Sequence, residues 1–518
     1  MNSISLSSRK AKIICTIGPA SNSPDLIREL VIAGMNVARL NFSHGEHTDH
    51  LKAIQDIRDI SGSLKKQITI LQDLQGPKIR TGKLKDKSVK LIEGEQLIIT
   101  SEELLGDERR VSTTYKELPK EVKSGTILLL DDGLMNVEVM ESDGIDIKCK
   151  VVRGGILKSN KGINIPDLKL STSALTEKDK EDLEFGVKNG VDYVALSFVR
   201  EGSDVVYLKD LISQHTGRKV PTIAKIEKPQ ALERIDEILD ASDGIMIARG
   251  DLGVELNIEK VPVIQKLLIK KANQKGKLVI TATQMLESMI VNPSPTRAEV
   301  SDVANAIFDH TDAVMLSGET AAGKFPVETV KVMSKIVEQA ERSLSKNHSP
   351  AADTDTQQKE SLSESEFLGE LNPTSLFENK QDYSYFPQAI SELASLASDY
   401  IKAKAIVVLT HEGNMARRIS KGRPHCPIVA LSPHESTRRK LGMYWGVFTS
   451  NVIDTGDRDS VTGFEDILKL VETSLVKMGF FQAGDPIVVV SGSSPLTPTD
   501  EMHMLRLYYI NQNRDFDK

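Results

Sequence analysis

Three cysteines in 518 residues are too few for a disulfide framework, and Cys15, Cys149 and Cys426 stand far apart, without metal-ligand spacing. Cys15 and Cys149 fall in apolar, strand-like runs, where a thiol serves as a small core side chain. A reducing, cytoplasmic location is therefore expected. The chain also lacks any apolar run near the ~18 residues that a membrane-spanning helix needs. Its first stretch, MNSISLSSRKAKIICTIGP, has no apolar core of the kind a secretory signal carries, so no membrane partner and no export are expected. Positive charge is in deficit as well. With 66 Lys and Arg against 73 Asp and Glu the net charge is −7, which argues against nucleic acid as a partner. What remains, 39% hydrophobic and 27% charged residues, is the composition of an ordinary soluble globular protein. The length is too great for one core and implies about two to four domains.

From Ala11 onward, eight short apolar runs each end in a polar tip: AKIICTIGP, NVARLNFSHG, ITILQDLQG, DYVALSFV, TIAKIE, GIMIARGD, LVITATQM and AVMLSGET. Helix-period segments separate most of them. Eight strand–helix units predict an α/β fold, a (β/α)8 TIM barrel with its active site at the carboxyl ends of the strands. An open doubly wound sheet is the competing topology, but it gives no reason for every strand end to be polar. After the third strand the texture changes to alternating strands joined by Gly and Asp-Gly turns, which predicts an inserted small β-barrel. Placed at the catalytic face, such a module is suited to act as a lid that excludes water. The expected domains are a barrel over 1–76 and 175–345, a lid over 77–174, a polar linker over 346–385 and a C-terminal α/β domain over 386–518.

The stretch from Thr222 to Glu255 carries the densest chemistry. Alternation of faces puts Lys225 and Glu227 on the same side of one strand. The next strand, GIMIA, empties into Arg249-Gly250-Asp251-Leu252-Gly253, which reads as a turn that brings backbone close to a ligand. If these two strands are neighbours, Glu227 and Asp251 share one sheet edge and can hold a hard divalent cation, with Lys225 facing whatever anion the metal binds. Taken alone, a Lys–Glu pair on a sheet reads as an ordinary ion pair, and the rest of the chain has to carry the functional reading. Two arginines, Arg39 and Arg80, at the tips of the second and third strands add a clamp of the kind that meets phosphoryl oxygens two at a time.

The motifs AKIICTIGPAS, ARLNFSHG, LQDLQGPKIRTG, AKIEKPQAL, ARGDLGVE, TATQMLESM, PTRAEVSDVANAI and MLSGETAAGK, in this order, resemble the pyruvate kinase family. The resemblance implies transfer of a phosphoryl group from phosphoenolpyruvate to ADP, giving ATP and pyruvate. It implies Glu227 and Asp251 as ligands of Mg²⁺ (or Mn²⁺) and Lys225 as the cation on the migrating phosphoryl group. Arg39 and Arg80 would bind phosphate, Asn41, His44, Arg80 and Asp132 would lie at the nucleotide, and the N–H groups around Gly250 and Asp251 would hold the carboxylate with Thr283. Thr283, Ser317 and Glu319 match a network that protonates the enolate. For Asp132, a plain hairpin turn explains the local sequence equally well. A homotetramer is also implied.

Two departures from the family pattern matter. The family's monovalent-cation positions correspond to Asn41, Ser43, Asp73 and Leu74, but Lys78 stands where members that require K⁺ carry Glu, so K⁺ is not expected to be required. In the loop that binds a sugar phosphate in regulated members, this chain reads Thr410-His411-Glu412-Gly413-Asn414-Met415. A carboxylate there disfavours phosphate, and Arg417, Arg418, Lys421 and Arg423 read as an anion-receiving cluster or as a solvated helix face. Two rivals remain: a metal-dependent aldolase or other lyase on a similar barrel, and a relative kept only for binding.

Overall fold

The computed structural model describes residues 9–166, 174–217, 219–346, 385–450, 464–477, 479–492 and 503–510. Most of the expected linker, 347–384, lies outside the described residues. The chain divides into two units, Ala11–Ile336 and a second made of the first ten residues with Val337–Lys518.

In the first unit, eight parallel strands close into a barrel: Lys12–Ile17, Val37–Asn41, Thr69–Asp73, Tyr193–Leu196, Thr222–Ile226, Gly244–Ala248, Leu278–Ala282 and Ala313–Leu316. These are the eight apolar runs of the sequence. They are almost continuously buried, as strands covered on both faces must be. Chain order is kept around the ring, so every strand end opens to the same side. Helix starts are set locally. Ser23 accepts from Leu26 N ahead of helix Pro24–Ala33, and Thr176 with Asp179 makes a capping box for helix Glu177–Lys188.

The inserted segment is mostly β, with one short helix, Leu118–Glu121. Six strands form one sheet in the order Ile163–Asn164, Ile127–Leu130, Met135–Ser142, Asp146–Arg153, Gln96–Thr100 and Arg110–Ser112, and Ser88–Leu91 pairs with Gly155–Lys158. One core holds it together, built from inward residues such as Leu97, Leu128, Val137, Ile147 and Cys149. It leaves the barrel after the third strand and rejoins it ahead of helix Glu177–Lys188, which runs back to the start of the fourth strand, so the insert is rooted at the carboxyl edge.

The second unit carries a five-stranded sheet in the order Val447–Ser450, Ile428–Leu431, Ala405–Leu409, Pro486–Gly492 and His503–Tyr509, with only the last strand antiparallel. In its loop after Leu409, Gly413 adopts φ 89° and its N–H donates to Thr410 Oγ1 at 2.9 Å. His411 Nδ1 lies 3.1 Å from His434 Nε2. Among the described residues no helix is long and apolar enough to cross a membrane.

Candidate active site

Lys225 stands at the centre of the carboxyl edge. Its Nζ lies 2.7 Å from Ser197 Oγ, 3.0 Å from Glu227 Oε1 and 3.2 Å from Asp73 Oδ1. Burial works against the ammonium, but Asp73 and Glu227 outweigh it and raise its pKa, so Lys225 keeps its charge. Asp73 is fully buried and also accepts from Arg39 Nε at 2.7 Å, while Arg39 Nη1 donates to Thr16 Oγ1 at 2.9 Å. Burial opposes its ionisation, yet Lys225 and Arg39 prevail and hold its carboxyl below the ordinary range. Leu74 contributes through its backbone, since its carbonyl accepts the Ser197 hydroxyl at 2.7 Å and so places Ser197 for Lys225.

Glu227 accepts from Phe198 N at 2.8 Å through its other oxygen. Burial pushes its pKa up, Lys225 pulls it down and the charge of Asp251 raises it further, leaving it raised. A buried carboxylate pressed by a second one is the environment that a divalent cation relieves. Among the described residues no three His, Cys, Asp or Glu side chains form a metal-holding group. Two carboxylates with the remaining positions left to substrate suit Mg²⁺, which is usually held by one or two carboxylates plus phosphate oxygens.

The stretch after the sixth strand is a helix, Arg249–Glu255, rather than the expected turn. Gly250 is there for close approach, not for a left-handed backbone. A Cβ on it would lie 3.4 Å from Thr283 Oγ1, and its N–H donates to that oxygen at 2.7 Å. Thr283 and Gln284 themselves adopt φ 68° and 53°, a costly conformation for non-glycine residues. Arg249, which the sequence gave no reason to single out, holds them there. Its Nη2 donates to Thr283 O at 2.8 Å, and its Nη1 pairs with Asp302 at 2.7 Å.

Ser317 N and Leu286 N donate to the two oxygens of Glu319 at 2.7 and 3.1 Å. Glu319 is thus a fully buried tie between the loops after the seventh and eighth strands. The Ser317 hydroxyl is buried and has no hydrogen-bond partner among the described residues. In the loop after the second strand, Asn41 Oδ1 accepts from Ser43 N at 3.2 Å, and the His44 carbonyl lies 3.0 Å from His50 Nε2. Burial, then the charges of Arg80, Arg39 and Lys78, lowers the pKa of His44. Arg80 turns toward the lid, donating to Asn160 O at 3.2 Å, and Lys78 Nζ lies 3.5 Å from Asp251 Oδ1. Asp132 is exposed at the lid turn with φ 54°, and a Cβ on Gly162 would lie 3.5 Å from Lys78 Cε and 3.8 Å from Asp132 Oδ1. The lid turn therefore stands beside Lys78 at this edge.

The family model described as pyruvate kinase, barrel domain, matches residues 8–330, and that described as pyruvate kinase, alpha/beta domain, matches 388–504. A pyruvate kinase of Geobacillus stearothermophilus is 42% identical over 97% of this chain and 81% of its own length. One from Clostridium perfringens is 41% identical over 96% of this chain and 99% of its own. A crystal structure of a pyruvate kinase from Cryptosporidium parvum superposes with a TM-score of 0.83 at 36% identity, covering 97% of this chain and 96% of that one. With both family models matched in order, close relatives aligned along nearly the whole chain and the barrel edge built as described, the chain belongs to the pyruvate kinase family of phosphotransferases.

Proposed function

We propose that this chain transfers the phosphoryl group of phosphoenolpyruvate to ADP, using Mg²⁺ (or Mn²⁺), to give ATP and pyruvate. The observation that carries this reading is the placement of Lys225, an ammonium whose side chain is 11% exposed, between Asp73 and Glu227 at the edge where the lid is rooted. Its charge would offset that on the equatorial oxygens of the migrating group, for which a loosely bonded transition state offers no covalent help. Arg39, fixed by Asp73 and Thr16, and Arg80 would hold phosphate oxygens. Glu227 and Asp251 would hold the divalent cation, which when bound neutralises phosphate charge.

The Gly250 and Asp251 N–H groups and the Thr283 hydroxyl would grip the substrate carboxylate, displacing the bond that now joins Gly250 to Thr283. Thr283 and the Ser317 hydroxyl would belong to the water-containing path that brings a proton to the enolate, with Glu319 setting the position of Ser317. The nucleotide would lie against Asn41, His44, Arg80 and Asp132, under a lid that keeps water from the phosphoryl group.

The Lys78 ammonium supplies positive charge beside Asp251, and K⁺ at the site of Asn41, Ser43, Asp73 and Leu74 becomes dispensable. Replacing K⁺ by tetramethylammonium is expected to leave the rate within about tenfold, and a larger fall would refute this part. Glu412 disfavours a phosphate at the C-terminal loop, so activation by fructose bisphosphate is not expected. The family supports a homotetramer. An assay coupled to lactate dehydrogenase tests the whole reading: pyruvate should form only with phosphoenolpyruvate, ADP and metal together, and should stop on chelation. A lyase would make its product without ADP.

A further inference from the structure

The helix Arg249–Glu255 has seven residues, too few to stand by itself, yet Gly250 and Asp251 sit in its first turn. Both roots of the lid reach it. From the outgoing root, Lys78 Nζ approaches Asp251 Oδ1 to 3.5 Å at the beginning of the helix. From the returning root, Asn164 Nδ2 donates to Glu255 Oε1 at 2.8 Å at its end. The same oxygen takes Lys228 Nζ at 2.5 Å, from the loop after the fifth strand. Asn164 and Glu255 are 6% and 3% exposed. At the lid turn, a Cβ on Gly133 would lie 3.8 Å from Val254 Cγ1.

Burying a carboxylate and an ammonium carries a desolvation cost that an apolar pair would avoid, so packing alone does not account for Glu255 and Lys228. What they add is direction. A buried amide is satisfied only when its donor and acceptor meet in line, and that condition fixes the angle of the returning lid root.

We propose that Asn164, Glu255 and Lys228 form a hinge latch that sets the angle of the lid on the barrel and transmits it to the helix bearing Gly250 and Asp251. This rests on the function proposed above. Asn164 and Glu255 are positioning residues, since neither borders the reacting atoms. With the latch broken, the lid swings, ADP is held less tightly and water reaches the phosphoryl group. The bond from phosphorus to the enol oxygen then breaks while phosphorus bonds to a water oxygen instead of to ADP. A proton lost by that water goes to solvent and the enolate takes one up, so the products are inorganic phosphate and pyruvate.

The test compares the full-length protein with Asn164→Ala, Glu255→Gln and the double variant, with folding checked by circular dichroism. It reads kcat, KM for ADP and the ratio of inorganic phosphate to ATP formed. Each single change should raise KM for ADP at least about fivefold and the phosphate ratio about tenfold, with kcat within about threefold. The double variant should fall short of the product of the singles, because Glu255→Gln leaves an oxygen to accept from Asn164 but removes the charge that strengthens that bond, so both changes act on one contact. Folded singles within about twofold of the parent on both readouts, or a double variant whose effects multiply, would overturn the latch. If Glu255→Gln does not fold, Asn164→Ala, a change on the lid side, decides by itself. A parent protein that makes no pyruvate would overturn the proposed function and the latch with it.

Discussion

Lys225 and Asp73 hold charge where either alone would be expensive. An unpaired buried ion costs several kcal/mol, and breaking such a pair typically costs ~3–5 kcal/mol. Here Asp73 meets two cations and Lys225 two carboxylates, so each has opposite charge beside it before any substrate arrives. The closeness of Lys225 and Glu227 was readable from sequence, because strand alternation places them on one face. Arg249 and Glu255 were not, because their partners Asp302 and Asn164 lie far away in the chain. Cys149, read as a core thiol, is fully buried, and burial pushes its pKa up to about 12. The thiolate is the reactive form, and burial keeps Cys149 as the thiol at pH 8. Iodoacetamide at that pH is expected to leave Cys149 unmodified in the native protein and to label it in denaturant, as mass spectrometry of the peptide would show. Native labelling at the denatured rate would contradict its burial.

At the scale of elements, the strands were the legible part, since a buried parallel strand must be apolar for its whole length. The short helix after the sixth strand was misread as a turn. Its two glycines suggested a special backbone, whereas Gly250 serves close contact with Thr283. What fixes the neighbouring loop is Arg249, whose planar guanidinium reaches Thr283 O and Asp302 together. Lysine is a single point of charge and cannot do both. Arg249→Lys is therefore expected to raise KM for phosphoenolpyruvate about tenfold while changing KM for ADP little. Equal effects on both substrates would mean that Arg249 supports the site as a whole rather than the carboxylate grip.

For the whole molecule, the barrel and its inserted β segment were visible as a change of period, from helix-spaced apolar residues to alternating ones. The polar contacts that tie insert to barrel were not, because they depend on single side chains such as Asn164 and Lys78. Replacing the insert by a short Gly-Ser linker should leave the barrel folded and still able to exchange the methyl protons of pyruvate in the presence of Mg²⁺, since Thr283, Ser317 and Glu227 all lie on barrel loops. ATP formation should be lost, because Asp132 and the shield against water are gone. Proton exchange measured by NMR beside ATP formation separates the two.

The central claim is that Lys225 offsets charge on a phosphoryl group in transit. The most direct measurement is the rate of ATP formation from phosphoenolpyruvate and ADP with Mg²⁺, for the parent and for Lys225→Met. A fall in kcat of roughly 1,000-fold, with KM for ADP little changed, is expected from the loss of one positioned charge. A variant that keeps kcat within about tenfold of the parent would contradict the claim.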